Sequence, residues 1–393
     1  MIKKIPYSKQ NITIEDINSV IKVLKSEYLT TGPLVEKFEN KITKFVKSNY
    51  CVSANSATSA LHIACQAIGL GPGDYLWTSP NSFVASSNCA LYCGANIDFV
   101  DIELKNYNID INLLEKKLIL AKKRKKLPKI VVPVLFGGHP HDMKRLKELS
   151  NKYKFKIIED ASHALGAEYF GNKIGNCKYS DITIFSLHPV KMITTGEGGI
   201  ATTNNKYYYE RMNLFKSHGI TRDKNKFKFN SKESTYYEQH ELGFNYRLTD
   251  IQCALGISQL KKIKKFIDNR VKIKKFYDKE LKKFPLILPT QKKGVKSSWH
   301  LYPVMFNKNK TNKKKFQLLN FMRKKHIYVN THYIPIHIQP YYRKLGFKKK
   351  DFKNSIYFYE KELSLPIYPS LKKSDLRYII KVIGKFFKIK NLS

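Results

Sequence analysis

The 393-residue chain reads as an α/β protein with a mostly parallel central sheet, followed by a smaller α/β C-terminal domain. Two observations predict this. From residue 50 to 205, short apolar runs alternate with helical stretches, and near-continuous apolar strands belong to a sheet covered on both faces. After about residue 250 the texture changes to long lysine-rich helices with one further strand-like run. The expected domains are therefore 1–250 and 251–393, with the boundary somewhere in 250–290.

Taken in order, Tyr50–Ala54 reads as a strand and the segment from Ser56 to Ile68 as a helix, stopped by Gly69, Gly71, Pro72 and Gly73. Tyr75 to Thr78 is the next strand, followed by a helical run from Ser82 to Tyr92. Strands are expected at Ile97–Ile102, Lys129–Leu135, Phe155–Glu159, Asp181–Ser186 and Gly199–Thr202, with an amphipathic helix at Asp142–Tyr153. Thr249 to Phe284 predicts long helices, with Leu260, Ile263, Ile267 and Val271 as the apolar stripe. Asn307 to Lys315 reads as a turn, Leu301–Phe306 as a strand, and 313–325 and 374–387 as helices.

Composition narrows the function classes. There are 72 Lys+Arg against 31 Asp+Glu, a net charge of +41. A basic, non-catalytic nucleic-acid binder is the rival this charge raises. However, 63 of the basic residues are lysines and nine are arginines, whereas duplex readers favour Arg for bidentate base contacts. Scattered lysines amid abundant Asn, Ile, Tyr and Phe match a composition drift better than a binding face, so no nucleic-acid partner is expected. A preference for anionic substrates fits the same charge. No run of eighteen apolar residues predicts a membrane span, and the start, Met1 to Tyr7, lacks a signal-peptide pattern; a cytoplasmic protein without a membrane partner is expected. The six cysteines lack zinc-ribbon or redox spacing, and Cys89 and Cys93 read as buried thiols.

Three features lie at the carboxyl ends of expected strands, where open parallel sheets form ligand crevices. In Asn55-Ser56-Ala57-Thr58-Ser59-Ala60, small residues at a helix start leave backbone N–H groups for an anion, although plain N-capping reads the same residues. No Gly-Lys-Ser/Thr loop is present. In Ile157-Ile158-Glu159-Asp160-Ala161-Ser162-His163, an Asp beyond an apolar strand needs a cationic or hydrogen-bonding partner. A metal held by Asp160 and His163 lacks a clear third ligand, so no metal is expected, and a strand-end cap is the plain alternative. In the Ser186-to-Gly199 stretch, Lys191 sits among Pro, Val, Met and Ile, which would desolvate its amine and leave it nucleophilic. Its place distinguishes it from the other 62 lysines: after a strand, five residues beyond Ser186, and before a glycine-rich turn.

Together these parts suit pyridoxal 5'-phosphate. The phosphate would rest on the 56–59 helix start and Ser186, Asp160 would face the ring nitrogen, and Lys191 would bond the aldehyde. Phe83 would cover the ring, or serve simply as a core aromatic.

At this point the sequence resembles the DegT/DnrJ/EryC1/StrS sugar aminotransferases of fold type I, from about Ile5 to Phe387. The carrying motifs are Leu29-Thr30-Thr31-Gly32-Pro33, Asn55 to Leu61, Glu159 to Ala164, Ser186 to Gly199 and Gly243 to Gln252. Trp77-Thr78-Ser79-Pro80, Ser217 to Asp223, His332-Tyr333-Ile334-Pro335 and Ser364-Leu365-Pro366 are most similar to the UDP-4-amino-4,6-dideoxy-N-acetyl-β-L-altrosamine transaminases of pseudaminic acid biosynthesis.

The resemblance implies a catalytic Lys191 bonded to the cofactor, Asp160 on its ring nitrogen and His163 near the ring. Ala57, Thr58 and Ser186 would serve the phosphate and nearby substrate. Asn245 would reach the cofactor and substrate of a second subunit, making a homodimer with shared sites. Tyr7, Glu27, Tyr28, Leu29, Thr30, His332, Tyr333, Ile334 and Pro335 would line the sugar-nucleotide cleft. Leu187 replaces a frequent Phe, Asn81 a frequent Ile, and the Lys224–His240 loop is long; these touch substrate identity rather than reaction type. Relatives that dehydrate carry His where Lys191 stands, so the lysine implies transamination. The implied reaction moves the amine of L-glutamate to C4 of a UDP-linked 4-keto-6-deoxy-HexNAc, with a dTDP- or GDP-linked keto sugar as the alternative acceptor.

Overall fold

The computed structural model describes residues 4–388 apart from residues 230 and 232. The outer ends of the two expected domains, the first three residues of the start and two positions of the 224–240 loop therefore lie outside the described residues.

Seven strands build the central sheet: β1 (Tyr50–Ala54), β2 (Tyr75–Thr78), β3 (Asn96–Phe99), β4 (Ile130–Val132), β5 (Lys156–Asp160), β6 (Ile182–Ser186) and β7 (Gly199–Thr203). Their order is β1-β7-β6-β5-β4-β2-β3. All run parallel except β7, which is antiparallel to both β6 and β1. Gly199 pairs with both Ala54 and Ser186, and Asp160 pairs with Ile184. This register gathers the carboxyl ends of β1, β5 and β6 at one edge.

Alternation along the strands supplies two apolar faces. Ile158, Ile182 and Ile184 pack with the helix Ala57–Ile68, while Phe185 and Ile200 pack with Phe38, Ile42 and Val46 of the helix Pro33–Val46. The Ala57–Ile68 helix starts where expected because the Ser56 side chain accepts the Ser59 N–H, and it ends at Gly69 with φ 81°. A separate antiparallel sheet, Leu286–Ile287, Tyr302–Phe306 and Glu362–Leu365, packs with the helices Ile263–Leu281, Lys315–Lys324 and Lys373–Phe387. Ile5 joins that second core. Among the described residues no helix is long and apolar enough to cross a membrane.

Several expected boundaries move, each for a local reason. The helix expected from Ser82 begins at Ala85, because Ser82 turns its hydroxyl to Ser86 at 2.7 Å. The strand expected to Ile102 ends at Phe99, and Asp101 caps the Ile102 N–H at 2.9 Å. The strand expected to Leu135 ends at Val132, ahead of Pro133, which has no N–H to donate. The buried stripe of Ile263–Leu281 is Ile263, Phe266, Arg270, Ile273, Tyr277 and Leu281; Leu260, Ile267 and Val271 flank it half-buried. Cys89 is buried as expected, but Cys93 is half-exposed.

Candidate active site

At the gathered carboxyl edge lies a cavity of about 640 Å³. Lys191 reaches it from the loop after β6, which folds back on itself: Leu187 N–H donates to Gly198 O at 2.8 Å and Thr194 Oγ1 donates to Leu187 O at 2.9 Å. Leu187, Met192 and Ile193 anchor the loop in the core, and Ser8 Oγ clamps Val190 O at 3.1 Å. Burial pushes the Lys191 amine down to about 8, with the Asp160 charge opposing the shift. The ammonium therefore loses its proton far more readily than a surface lysine.

Asp160, at the end of β5, is buried with both oxygens engaged. Ser86 Oγ donates to Oδ2 at 2.5 Å and the Ser162 N–H donates to Oδ1 at 3.1 Å. The two donors thereby fix the carboxylate in place. His163 follows two residues after Ala161 and is buried; the Gly137 N–H donates to its Nδ1 at 3.2 Å. The ring proton is thereby placed on Nε2, which donates to Tyr333 Oη at 3.1 Å. Burial, then Lys191 and His332, hold His163 well below the usual imidazole range. It therefore stays neutral at ordinary pH.

The first turn of the helix Ala57–Ile68 opens on the same cavity, lined by Ser56, Ala57 and Thr58. Ser56 caps Ser59, which leaves the N–H groups of Ala57 and Thr58 without a partner among the described residues. Ser186 lines the same cavity, paired with Gly199. A Cβ on Gly199 would sit 2.2 Å from Ser56 O and 2.5 Å from Ala57 N, so only glycine lets β7 run beneath this helix start. The donor set thus fits the coenzyme: free N–H groups and a hydroxyl for the phosphate, a buried carboxylate for the ring nitrogen, a desolvated amine for the aldehyde.

Among the expected residues, Tyr7, Ala57, Thr58, Phe83, Asp160, His163, Ser186, Lys191, His332 and Tyr333 all line the cavity. Phe83 is exposed at its mouth, which matches a ring cover better than a core aromatic. Glu27, Tyr28, Leu29 and Thr30 do not line it. They form an exposed turn tied to the helix Asp250–Leu260, where Asp250 N–H donates to Leu29 O at 3.0 Å. Asn245 is also exposed, and Asn55 Nδ2 donates to its carbonyl at 3.4 Å. Ile334 is exposed and Pro335 buried, both outside the cavity wall.

Sequence reasoning did not find Ser86 or His300. His300 packs against His163 with ring centres 4.3 Å apart and planes tilted by 35°, and the fully buried Arg270 donates to its carbonyl at 3.2 Å. No motif signals either residue, because each is brought in by packing rather than spacing. Among the described residues no cluster of His, Cys, Asp or Glu could hold a metal ion.

Comparison with known proteins agrees with this chemistry. Residues 10–384 match the DegT/DnrJ/EryC1/StrS aminotransferase family. The chain is 39% identical over 376 residues to a UDP-4-amino-4,6-dideoxy-N-acetyl-beta-L-altrosamine transaminase of Campylobacter jejuni, covering 95% of each. It superimposes on Helicobacter pylori PseC, an aminotransferase involved in the biosynthesis of pseudoaminic acid, with a TM-score of 0.89 and 33% identity, over 98% of this chain and 100% of that one. A Streptococcus pneumoniae protein in its PLP form gives a TM-score of 0.88 at 27% identity, over 99% and 100% of the two chains. With a desolvated lysine, a buried aspartate and an open helix start sharing one cavity, the chain belongs to the DegT/DnrJ/EryC1/StrS aminotransferase family and is a PLP-dependent sugar aminotransferase.

Proposed function

We propose that the protein transfers the amine of L-glutamate to C4 of a UDP-linked 4-keto-6-deoxy-HexNAc, giving UDP-4-amino-4,6-dideoxy-N-acetyl-β-L-altrosamine for pseudaminic acid biosynthesis. The observation that carries this is the pairing of a Lys191–Asp160–His163 cavity with near-full-length similarity to transaminases of that name.

When bound, pyridoxal phosphate supplies an aldehyde that bonds an amine and a ring that accepts electrons from the attached carbon. The chain's own residues do the rest. The N–H groups of Ala57 and Thr58, with Ser186, hold the phosphate at the helix start. Asp160 keeps a proton on the ring nitrogen, and Ser86 and Ser162 keep Asp160 in place. Lys191 would take the proton from the donor α-carbon, and its lowered pKa leaves it able to act as that base near neutral pH. In the second half it returns a proton to C4 of the sugar. His163 fixes the ring plane through Gly137 and Tyr333.

The turn Glu27–Thr30, Tyr7 and the His332–Pro335 segment would take the nucleotide sugar. Asn245 would complete the cavity of a second copy, so that a homodimer works as the unit; the exposure of Asn245 and of the Glu27–Thr30 turn supports this. A second domain is supported by the separate apolar core around the C-terminal sheet, which runs from Ile273 onward and takes in Ile5, whereas Cys253, Ile263 and Phe266 pack in the core of the large domain.

The test incubates PLP-loaded protein with glutamate and UDP-, dTDP- and GDP-linked 4-keto sugars and reads amine formation by mass. Amination of the UDP-linked acceptor is expected. Turnover restricted to a dTDP- or GDP-linked sugar overturns the substrate assignment.

A further inference from the structure

His332 borders the cavity 5.4 Å from the Tyr7 ring, and its Nδ1 meets Ser364, a buried residue outside the cavity wall. Nδ1 lies 2.9 Å from Ser364 Oγ, and that hydroxyl lies 2.5 Å from Glu362 Oε1. Glu362 Oε2 accepts the backbone N–H of His332 at 3.0 Å, so the carboxyl group is bound to both the ring relay and the main chain of the same residue. Glu362, Ser364 and His332 are all buried.

We propose that the proton on Glu362 sets, through Ser364, whether His332 Nε2 gives or accepts a hydrogen bond to the sugar acceptor. This rests on the sugar-acceptor reading above and adds a positioning pair, Glu362 and Ser364, to it.

The geometry allows two proton arrangements. With Glu362 protonated, Oε1–H donates to Ser364 Oγ, Ser364 donates to Nδ1, and His332 carries its hydrogen on Nε2, facing the cavity. With Glu362 ionised, its proton has passed to Ser364, the serine hydrogen has passed to Nδ1, and Nε2 has released one proton to cavity water. Nε2 then presents a lone pair, with Asn330 Nδ2 3.5 Å away. One proton leaves overall, and the imidazole is neutral in both arrangements because burial, aided by Lys191, pushes it down to about 3.

The groups facing Glu362 come from several elements. Burial favours the protonated form, and against it act the Ser364 hydroxyl, the His332 backbone N–H and, from the helix Lys315–Lys324, the Lys315 amine. The Tyr107 and Tyr333 hydroxyls lie within its field. His332 itself is faced by Lys191, Tyr7, Tyr333, His163 and His300. A sugar hydroxyl can satisfy either form of Nε2, but a carbonyl such as that of an acetamido group can pair only with Nε2–H.

The experiment records ring 15N spectra of the full-length PLP-loaded protein, with His332→Gln to assign the signals. At pH 9 the wild type is expected to show the Nδ1–H tautomer. Glu362→Gln should show Nε2–H at every pH, because its amide must donate to Ser364 while its oxygen takes the His332 N–H. Ser364→Ala should make the tautomer insensitive to pH. The KM for a UDP-linked 4-keto-6-deoxy-HexNAc should vary several-fold with pH in the wild type and stay flat in Glu362→Gln, with the glutamate KM unchanged in both. The same tautomer in wild type and Glu362→Gln at pH 9 overturns the proposal, and Ser364→Ala that switches like the wild type does so independently. Failure to aminate any UDP-linked sugar with the tautomer shift intact would sink the substrate assignment while leaving the relay standing.

Discussion

Ser86 Oγ donates a 2.5 Å hydrogen bond to Asp160 Oδ2, linking the helix that follows Phe83 to the carboxylate at the end of β5. Ser82 backs Ser86 at 2.7 Å, so two hydroxyls in sequence hold the acid. A hydrogen bond to a charged group contributes about 1.5–3 kcal/mol. Ser86→Ala should therefore weaken retention of pyridoxal phosphate about tenfold or more, measured by loss of the bound chromophore on dilution, with little change in melting temperature.

Lys191 and Asp160 carry separable tasks. Lys191→Ala should fold normally, abolish transamination and remove any cofactor fixed by borohydride. Asp160→Asn should still take up cofactor but lose more than about a hundredfold in turnover, because the ring nitrogen then lacks its charged partner. Equal turnover of Asp160→Asn and wild type would contradict the role given to that carboxylate.

The amine at position 191 also makes a pH prediction. Its pKa in the fold is lowered to about 8 by burial. Only the unprotonated amine attacks an aldehyde, so that fraction climbs from about a tenth at pH 7 to about nine tenths at pH 9. The rate at which the apoprotein bonds added pyridoxal phosphate should rise about tenfold over this range with a midpoint near 8. A midpoint near the ordinary lysine value would contradict the desolvated pocket.

Gly199 underlies the anion cradle. Gly199→Ala forces a methyl against Ser56 O and Ala57 N at 2.2 and 2.5 Å, both backbone atoms. Overpacking of this kind costs about 1–3 kcal/mol. The variant should melt lower and bind inorganic phosphate and cofactor less tightly than the wild type in calorimetry.

Glu159, on the opposite face of β5 from Asp160, predicts a stability effect. Burial pushes it up to about 7, with Thr183 Oγ1 donating at 2.9 Å and His141 Nε2 3.9 Å away. A carboxyl whose folded pKa is raised loses stability as pH climbs from its unfolded value, about 4.3, through 7. His141, pushed down to about 4 by burial, acts in the opposite sense between about 4 and 6.5. Comparing Glu159→Gln with wild type isolates the carboxyl: the variant should gain a few degrees in melting temperature at pH 8 relative to its difference at pH 5.

The apolar runs at Tyr50, Tyr75, Ile157 and Ile182 were legible as strands because burial on both faces leaves a continuous hydrophobic signature. Asp160 and Lys191 stood out as polar groups among apolar neighbours, next to those strand ends. Ser86, His300 and Glu362 carried no such mark. They lie 74, 137 and 30 positions from the partners they support, Asp160, His163 and His332 in turn, so that no motif-length spacing connects them. Cys93 misled because an apolar run resembles a buried helix even where one of its faces is half-exposed.

The α/β class, the strand-end chemistry and the family are legible along the chain, since each depends on local pattern and on motifs a few residues long. The antiparallel run of β7, the room Gly199 leaves for the helix start, and the path from Glu362 to His332 through a serine emerge in the folded chain alone. Those relations come from the register of strands distant in the chain, and register is set by packing the whole core at once.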